Sequence, residues 1–365
     1  MNYKIFAVMA FLISLICGFI IIPVITEFCK KRKLYDIPNE RKVHKNAIPR
    51  LGGVCFMPSM IISFLLAMAV YYQSIGKENA TFSMWSFYFI VSLTIIYITG
   101  IIDDIIGLDA TVKFIAQIIA ASLLPLSGLW INNLYGICGI YDIPYIIGAP
   151  LTIFVIVFVD NSINLIDGID GLAAGLSFIA LTGFMICFMR EGLLLYAILI
   201  SGLMGVLIPY LYFNLFGSKR NMKIFMGDSG SLTLGFILGF LFIKVTMNKP
   251  DVLPFNKESL ILAYSLLIIP VFDVVRVIFV RLRHHKPIFQ ADKNHIHHKL
   301  MTLGLSQHKT LITILSMSML FTAFNLLIFK YISLTLLIVI NILLYYTFNI
   351  LTDFKLHKIT ATNQK

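Results

Sequence analysis

Four short segments of this sequence carry residue types that do chemistry together. Asp103 and Asp104 stand side by side, followed by Gly107 and, nine residues past Asp104, by Lys113. Asn164, Asp167 and Asp170 are spaced three apart, with Gly168 and Gly171 among them. Asp228 sits in Gly227-Asp228-Ser229-Gly230-Ser231. The fourth segment, His295-Ile296-His297-His298, shares a loop with Arg281, Arg283, Lys293 and Lys299. Carboxylate oxygens are hard ligands, and Mg²⁺ takes one or two of them while leaving positions for substrate phosphates. Glycines beside the acids permit tight turns and close backbone approach. The N–H groups of a helix starting near Asp228 can receive phosphate oxygens, and Lys113 can bring an ammonium to the same pocket. The pattern points to a divalent-cation site that handles phosphate. The competing view, solvated interfacial acids, suits Asp109, Asp292 and Asp353 better than five aspartates crowded into three short loops.

The chain that must position these residues is 59% apolar and only 13% charged, whereas a soluble domain carries about 25% charged residues. A bilayer core of about 30 Å needs about 20 helical residues to cross it. Apolar runs of that length predict an all-α, polytopic helical membrane protein with about eleven spans. They fall at 5–26, 51–73, 85–102, 113–131, 146–162, 172–189, 192–213, 230–247, 259–280, 310–329 and 332–350. The first reads as a retained helix, because its apolar run continues to Pro23 and Ile16-Cys17 lacks the small residue of a lipoprotein site. The formal charge of +11 is unevenly spread. Lys30, Lys31, Arg32, Lys33, Arg41, Lys42, Lys45 and Arg50 all follow span one, while isolated cations such as Lys77, Arg190 and Lys249 follow even-numbered spans. The positive-inside rule puts the odd-numbered loops in the cytoplasm, the N-terminus outside and the C-terminus cytoplasmic. Every acidic cluster and the histidine segment also follow odd-numbered spans, so parity places them on one membrane face. The five cysteines are scattered without a CxxC pair and read as small buried hydrophobes.

In this order and on one face, the four segments resemble the polyprenyl-phosphate N-acetylhexosamine-1-phosphate transferase family, over about residues 40–300. Arg50-Leu51 before Gly52-Gly53, and one Ile among the histidines, favour its simple-sugar enzymes over the muramoyl-pentapeptide branch. The resemblance implies a single membrane transferase domain over 1–365, with cytoplasmic loops at about 27–50, 103–112, 163–171, 214–229 and 281–309. It implies transfer of N-acetylhexosamine-1-phosphate, GlcNAc-1-phosphate first among the candidates, from a UDP-sugar to undecaprenyl or another polyprenyl phosphate, with release of UMP. That reaction is the first membrane step of a cell-envelope glycan, on the cytoplasmic face of a bacterial inner membrane. The implied cofactor is Mg²⁺, with Mn²⁺ as a substitute. Asp228 matches the Mg²⁺-binding aspartate, and Asn164 a residue that joins it. Asp103 and Asp104 match the paired aspartates near the lipid phosphate, one of them proposed as base, and Lys113 a lysine near the reacting phosphates. Asp170 matches the position that hydrogen-bonds uracil, and Asp167 joins it among the substrate-binding candidates. His295, His297 and His298 match a segment covering sugar and pyrophosphate, and Lys45 and Arg50 belong to a loop lining the nucleotide site. Asp160 and Ser162 depart from the usual flanks of their motif and carry no functional expectation. The implied partners are the two substrates, the bilayer and a second copy in a homodimer, with no nucleic acid.

A lipid phosphate with a second pKa of about 6 is largely ionised near neutral pH, so the need for a base stays open. Adjacent side chains on a helix point about 100° apart, and only one of the aspartate pair can face the pocket fully. Asp104 is the expected one, because Lys113 follows it across a short turn. The alternatives are a UbiA-like Mg-dependent prenyltransferase, which would want an acid where Gly107 stands, and a cation-coupled transporter, which would place acids near the midplane. Asp273 and Arg276, three apart, are expected to form an intramembrane ion pair.

Overall fold

A computed structural model describes residues 4–37, 46–75, 84–249, 256–287 and 294–363. Its helices in chain order are α1 (Lys4–Arg32), α2 (Phe56–Ile75), α3 (Met84–Ile106), α4 (Ala110–Leu126), α5 (Tyr145–Ile166), α6 (Leu172–Arg190), α7 (Leu194–Phe216), α8 (Gly227–Thr246), α9 (Lys257–Arg283), α10 (Ile296–Thr302), α11 (Gln307–Ile328) and α12 (Leu334–Asn363). Among the described residues ten helices are long and apolar enough to cross a membrane, and α4 is a shorter apolar helix. Those ten and α4 coincide one for one with the eleven predicted spans. α4 ends at Leu126, short of the predicted 131, and rises about 25 Å at 1.5 Å per residue. Polytopic helical architecture is therefore established.

The ends of the spans differ from the hydropathy reading in a consistent way. α3 runs through Asp103 and Asp104, α5 through Asn164, and α8 starts at Gly227, so the polar residues ride on the terminal turns of helices. Hydropathy stops at the first charge, but a backbone satisfied by its own i→i−4 bonds need not. Helix ends thus supply rigid mounts for the candidate side chains.

α8 lies at the centre. Seventeen of its twenty residues are buried, and it packs against α3, α5, α6 and α9. Small residues on an apolar helix let neighbouring backbones approach closely in a membrane, and α8 carries Gly230, Ser231, Gly235 and Gly239 along its length. The two sheets are minor: β1 (Tyr35–Asp36) pairs antiparallel with β2 (Ile48–Pro49), and β3 (Asn133–Ile137) with β4 (Ile140–Asp142). The first pairing draws the two ends of the basic first loop together, and the second closes a hairpin at the opposite ends of the helices. Cys29, Cys55 and Cys187 are buried as expected, whereas Cys138, in the turn of that hairpin, is exposed.

Candidate active site

One cavity of about 600 Å³ gathers residues from all five loops that follow α1, α3, α5, α7 and α9. Asp36 and Arg50 come from the first, Asp103 and Asp104 from the second, Asn164, Asp167 and Asp170 from the third, Lys223, Phe225 and Asp228 from the fourth, and His298 from the fifth. The parity argument placed these segments on one membrane face, and they share one pocket. Lys45 lies outside the described residues.

The floor is built by two glycine-bearing segments laid side by side. Phe225 N–H donates to Pro49 O at 2.9 Å, while Gly52 N–H and Gly53 N–H donate to Phe225 O and Met226 O, each at 2.8 Å. A Cβ on Gly53 would run into the backbone of Gly230, so this contact needs two glycines. Gly227 opens α8 with φ +70°, and a Cβ there would strike the Asp104 carboxylate.

That carboxylate has a job the sequence concealed. Asp104 is 3% exposed; its Oδ1 accepts from Asp228 N–H and its Oδ2 from Ser229 N–H, both at 2.9 Å. It caps the start of α8 from another helix, where a carboxylate also meets the positive end of the helix dipole. Two of the N–H groups at the helix start where phosphate oxygens were expected are therefore already occupied. Asp103 instead faces Lys113: Lys113 Nζ donates to Asp103 Oδ2 at 3.2 Å and to Asp228 Oδ2 at 2.8 Å. Asp104 was expected to be the one that faces the pocket, because Lys113 follows it. Both aspartates line the cavity, but it is Asp103 that meets Lys113, because the phase of α3 turns Asp104 toward α8. Asp103 Oδ1 also accepts from Leu108 N–H at 2.7 Å. Asn164 Nδ2 donates to Asp228 Oδ1 at 3.2 Å and to Ser231 Oγ at 2.8 Å.

The cluster fits a divalent cation. The Lys113 ammonium already bridges Asp103 and Asp228, which is a cation held by two carboxylates. Asp228 and Asp103 could hold Mg²⁺, which asks for one or two carboxylates and completes its shell with water and phosphate. Asn164 could join them with its amide turned from the present orientation, in which Nδ2 faces Asp228. Among the described residues no three His, Cys, Asp or Glu side chains converge on one point.

On the nucleotide side of the expectation, Asp170 Oδ2 receives Lys223 Nζ at 2.5 Å, and that ammonium lies 5.8 Å from the Phe225 ring centroid. The sequence reading gave neither Lys223 nor Phe225 a role. Their signal was Lys223's place in the same odd-numbered loop as Asp228, five residues before it. Burial and the charges of Asp228, Asp170, Asp104 and Asp36 push the Asp167 carboxyl up to about 8. A carboxyl whose pKa is about 3.9 when unfolded and about 8 when folded holds its proton better in the folded state. Folding stability then falls as pH climbs between those values. Asp167→Asn removes this titration, so its thermal midpoint is expected to exceed that of the unaltered protein at pH 8 but not at pH 4. Parallel midpoints across that range would mean an ordinary carboxyl.

The three histidines part company. His298 lines the cavity. His295 is buried behind it, its Nδ1 2.8 Å from Asp273 Oδ2. The predicted Asp273–Arg276 pair is present at 2.9 Å, and Asp273 Oδ1 additionally accepts from Ile296 N–H at 3.0 Å and Tyr345 OH at 3.2 Å. Asp273 thereby ties the histidine segment to α9 and α12. His297 is buried against Gly168, and neither ring nitrogen has a hydrogen-bond partner among the described residues. Burial and the neighbouring His298 hold its pKa down to about 3, so the ring is neutral. The structure thus brings Arg50, Asp103, Asp104, Asn164, Asp167, Asp170, Asp228 and His298 to one cavity, with Lys113 bonded to two of them. His295 and His297 stand behind that wall.

Carboxylates, lysines and an amide are thus gathered at one end of a helical membrane bundle, a set of side chains suited to holding an anion and its counter-cation. The chain matches the model of glycosyl transferase family 4 over residues 86–246. A Bacillus subtilis protein named probable undecaprenyl-phosphate N-acetylglucosaminyl 1-phosphate transferase is 31% identical over 323 residues, 86% of this chain and 83% of its own. Undecaprenyl-phosphate alpha-N-acetylglucosaminyl 1-phosphate transferases of Escherichia coli K12 and Yersinia pestis are 29% and 26% identical, covering 78% and 77% of this chain and 74% and 73% of theirs. The chain belongs to glycosyl transferase family 4 and is a transferase.

Proposed function

We propose that the protein transfers N-acetylglucosamine-1-phosphate from UDP-N-acetylglucosamine to undecaprenyl phosphate, releasing UMP, as the first membrane step of a cell-envelope glycan. The observation that carries this reading is the Asp103–Lys113–Asp228–Asn164 cluster, set in the same cavity as the Asp170–Lys223 pair. A lipid phosphate oxygen attacks the β-phosphorus of the donor; the bond from that phosphorus to the bridging oxygen breaks, and UMP leaves with it. Both reactants are anions, and phosphoryl transfer asks the protein mainly to position them and stabilise charge. Lys113 places a cation beside the reacting phosphates, and Arg50 and His298 face the same cavity. Asp228 and Asn164, with Asp103 beside them, would hold Mg²⁺. When bound there, the ion supplies positive charge to the pyrophosphate and leaving group. Asp170 and Lys223 offer an acceptor and a donor to the uracil ring, with Phe225 as an apolar face. Asp104 orders the α8 start rather than acting as base, and an already ionised lipid phosphate needs none. Family membership removes the ground for the prenyltransferase and transporter alternatives.

The cavity opens on the cytoplasmic face in this reading, supported by the basic residues of the α1, α7 and α9 loops. A reporter fused at the C-terminus should then read cytoplasmic and one at residue 78 external. The activity test uses purified protein with undecaprenyl phosphate and a panel of UDP-sugars, following UMP with and without Mg²⁺. UMP should appear with UDP-N-acetylglucosamine only when lipid phosphate and Mg²⁺ are both present. Release that ignores the lipid acceptor, or none with any UDP-N-acetylhexosamine, would overturn the assignment.

A further inference from the structure

One helical turn below Lys113, Asn164 and Ser231, the same three helices meet again. Gln117 lies four residues beyond Lys113 on α4, Asp160 four before Asn164 on α5, and Gly235 four beyond Ser231 on α8. Four residues of helix rise about 6 Å, so these residues form a second layer directly beneath the first. Asp160 is completely buried. Its Oδ2 accepts from Gln117 Nε2 at 2.9 Å, and Gln117 Oε1 accepts from Asn161 Nδ2 at 2.9 Å. A Cβ on Gly235 would come within 2.6 Å of Asp160 Cα and 2.7 Å of its Oδ1, so α8 rests on this residue. Oδ1 has no hydrogen-bond partner among the described residues.

An acid inside a membrane bundle costs several kcal/mol unless something offsets it. Asp160 does not line the cavity, and nothing in the chemistry above uses it. If only bundle stability were at stake, a packed apolar side chain would serve as well or better. A hydrogen bond does what apolar packing does not: it fixes one register between α4 and α5. Catalytic groups need that, since a misplacement of 1 Å can lower a rate about 100-fold.

We propose that Asp160 is a positioning residue which, through Gln117 on α4 and its contact with Gly235 on α8, sets the depth and phase at which Lys113, Asn164 and Asp228 meet. The inference rests on reading those three as a cation–phosphate site. It makes Asp160 a hydrogen-bond acceptor whose amide equivalent serves in its place.

Three variants test it: Asp160→Leu, Gln117→Met and Asp160→Asn. Each is measured for Mn²⁺ binding by electron paramagnetic resonance, for kcat and KM with UDP-N-acetylglucosamine, and for thermal midpoint. Asp160→Leu and Gln117→Met should each lower kcat about tenfold, a sub-ångström displacement by the same scale, and weaken Mn²⁺ binding, with KM within twofold. Asp160→Asn keeps an oxygen for Gln117 and should restore both properties to near those of the unaltered protein. Gln117→Met breaks the same bond from the other helix and carries the test if Asp160→Leu does not assemble. A lowered midpoint with unchanged kcat and Mn²⁺ binding would overturn the proposal, as would an Asn variant as impaired as the Leu variant. If the unaltered protein binds Mn²⁺ yet releases no UMP, the functional reading fails while the Mn²⁺ measurements still decide the positioning role.

Discussion

Asp228→Asn should lower kcat at least 100-fold, about 3 kcal/mol of transition-state stabilisation, without lowering the thermal midpoint. The two halves of this expectation have separate causes. Asn keeps the shape of Asp and an oxygen that can accept from Lys113, which now lies 2.8 Å from Asp228 Oδ2. The backbone N–H of residue 228 still donates to Asp104, so the start of α8 stays capped. The substitution also relieves repulsion with Asp103, whose carboxylate shares the same ammonium. What disappears is one of the two negative charges that would hold Mg²⁺ against a pyrophosphate, and an amide oxygen is a weaker ligand for a hard cation. Raised Mg²⁺ should recover little, because a neutral amide oxygen is a poor replacement for a carboxylate as ligand to a hard cation beside a pyrophosphate. The measurement is UMP release against Mg²⁺ concentration, beside a melting curve. Near-normal turnover in this variant would dismantle the cation-site reading altogether.

The loops and their shared face were legible because acids are scarce in an apolar chain, so each cluster stands out and its parity can be counted. The chemistry of the segments was legible too, since Asp, Asn and Lys beside glycines suit few tasks. The pairing within the cluster was not. Asp104 meets the backbone of residues 124 and 125 positions away, and whether it or Asp103 does so depends on the rotational phase of α3. Hydropathy tells which side of that helix is the more apolar, but not which neighbouring helix each of two adjacent acids at its end will meet. The same blindness hid Lys223 beside Asp170, 53 residues apart. It also hid Tyr345 and His295 on Asp273, where sequence spacing offered only Arg276. Asp160 was visible as an acid in an apolar run, but its meaning needed Gln117 on one side and α8 on the other. The missing knowledge in each case was a contact between helices, set by packing after the spans are in place.

The paired aspartates should separate by the kind of damage, not only by its size. Asp104→Asn is expected to lower both the thermal midpoint and kcat, the latter at least 100-fold, while Asp103→Asn should spare the midpoint and lower kcat about tenfold. Asp104 uses both carboxylate oxygens on two buried N–H groups, those of Asp228 and Ser229. Asn offers one oxygen and one NH₂, so one donor faces another donor across a contact now 2.9 Å long. A buried N–H left unpaired costs about 1–3 kcal/mol, and loss of the charge at the α8 start removes up to about 2 kcal/mol more. The first turn of α8, which carries Asp228, then loses its anchor. Asp103 holds a different position: its Oδ1 accepts from Leu108 N–H at 2.7 Å, which an Asn oxygen can continue to do. Its Oδ2 shares Lys113 with Asp228, and Lys113 keeps that second partner. The NH₂ introduced by Asp103→Asn would face the Lys113 ammonium in a part-exposed contact that water and Asp228 can take over, so turnover and Mg²⁺ dependence shift while the fold does not. Paired melting curves and UMP-release rates on the two variants decide the matter. Equal midpoints would remove Asp104 from its capping role, and a larger drop in kcat for Asp103→Asn would return the central place to the aspartate that touches Lys113.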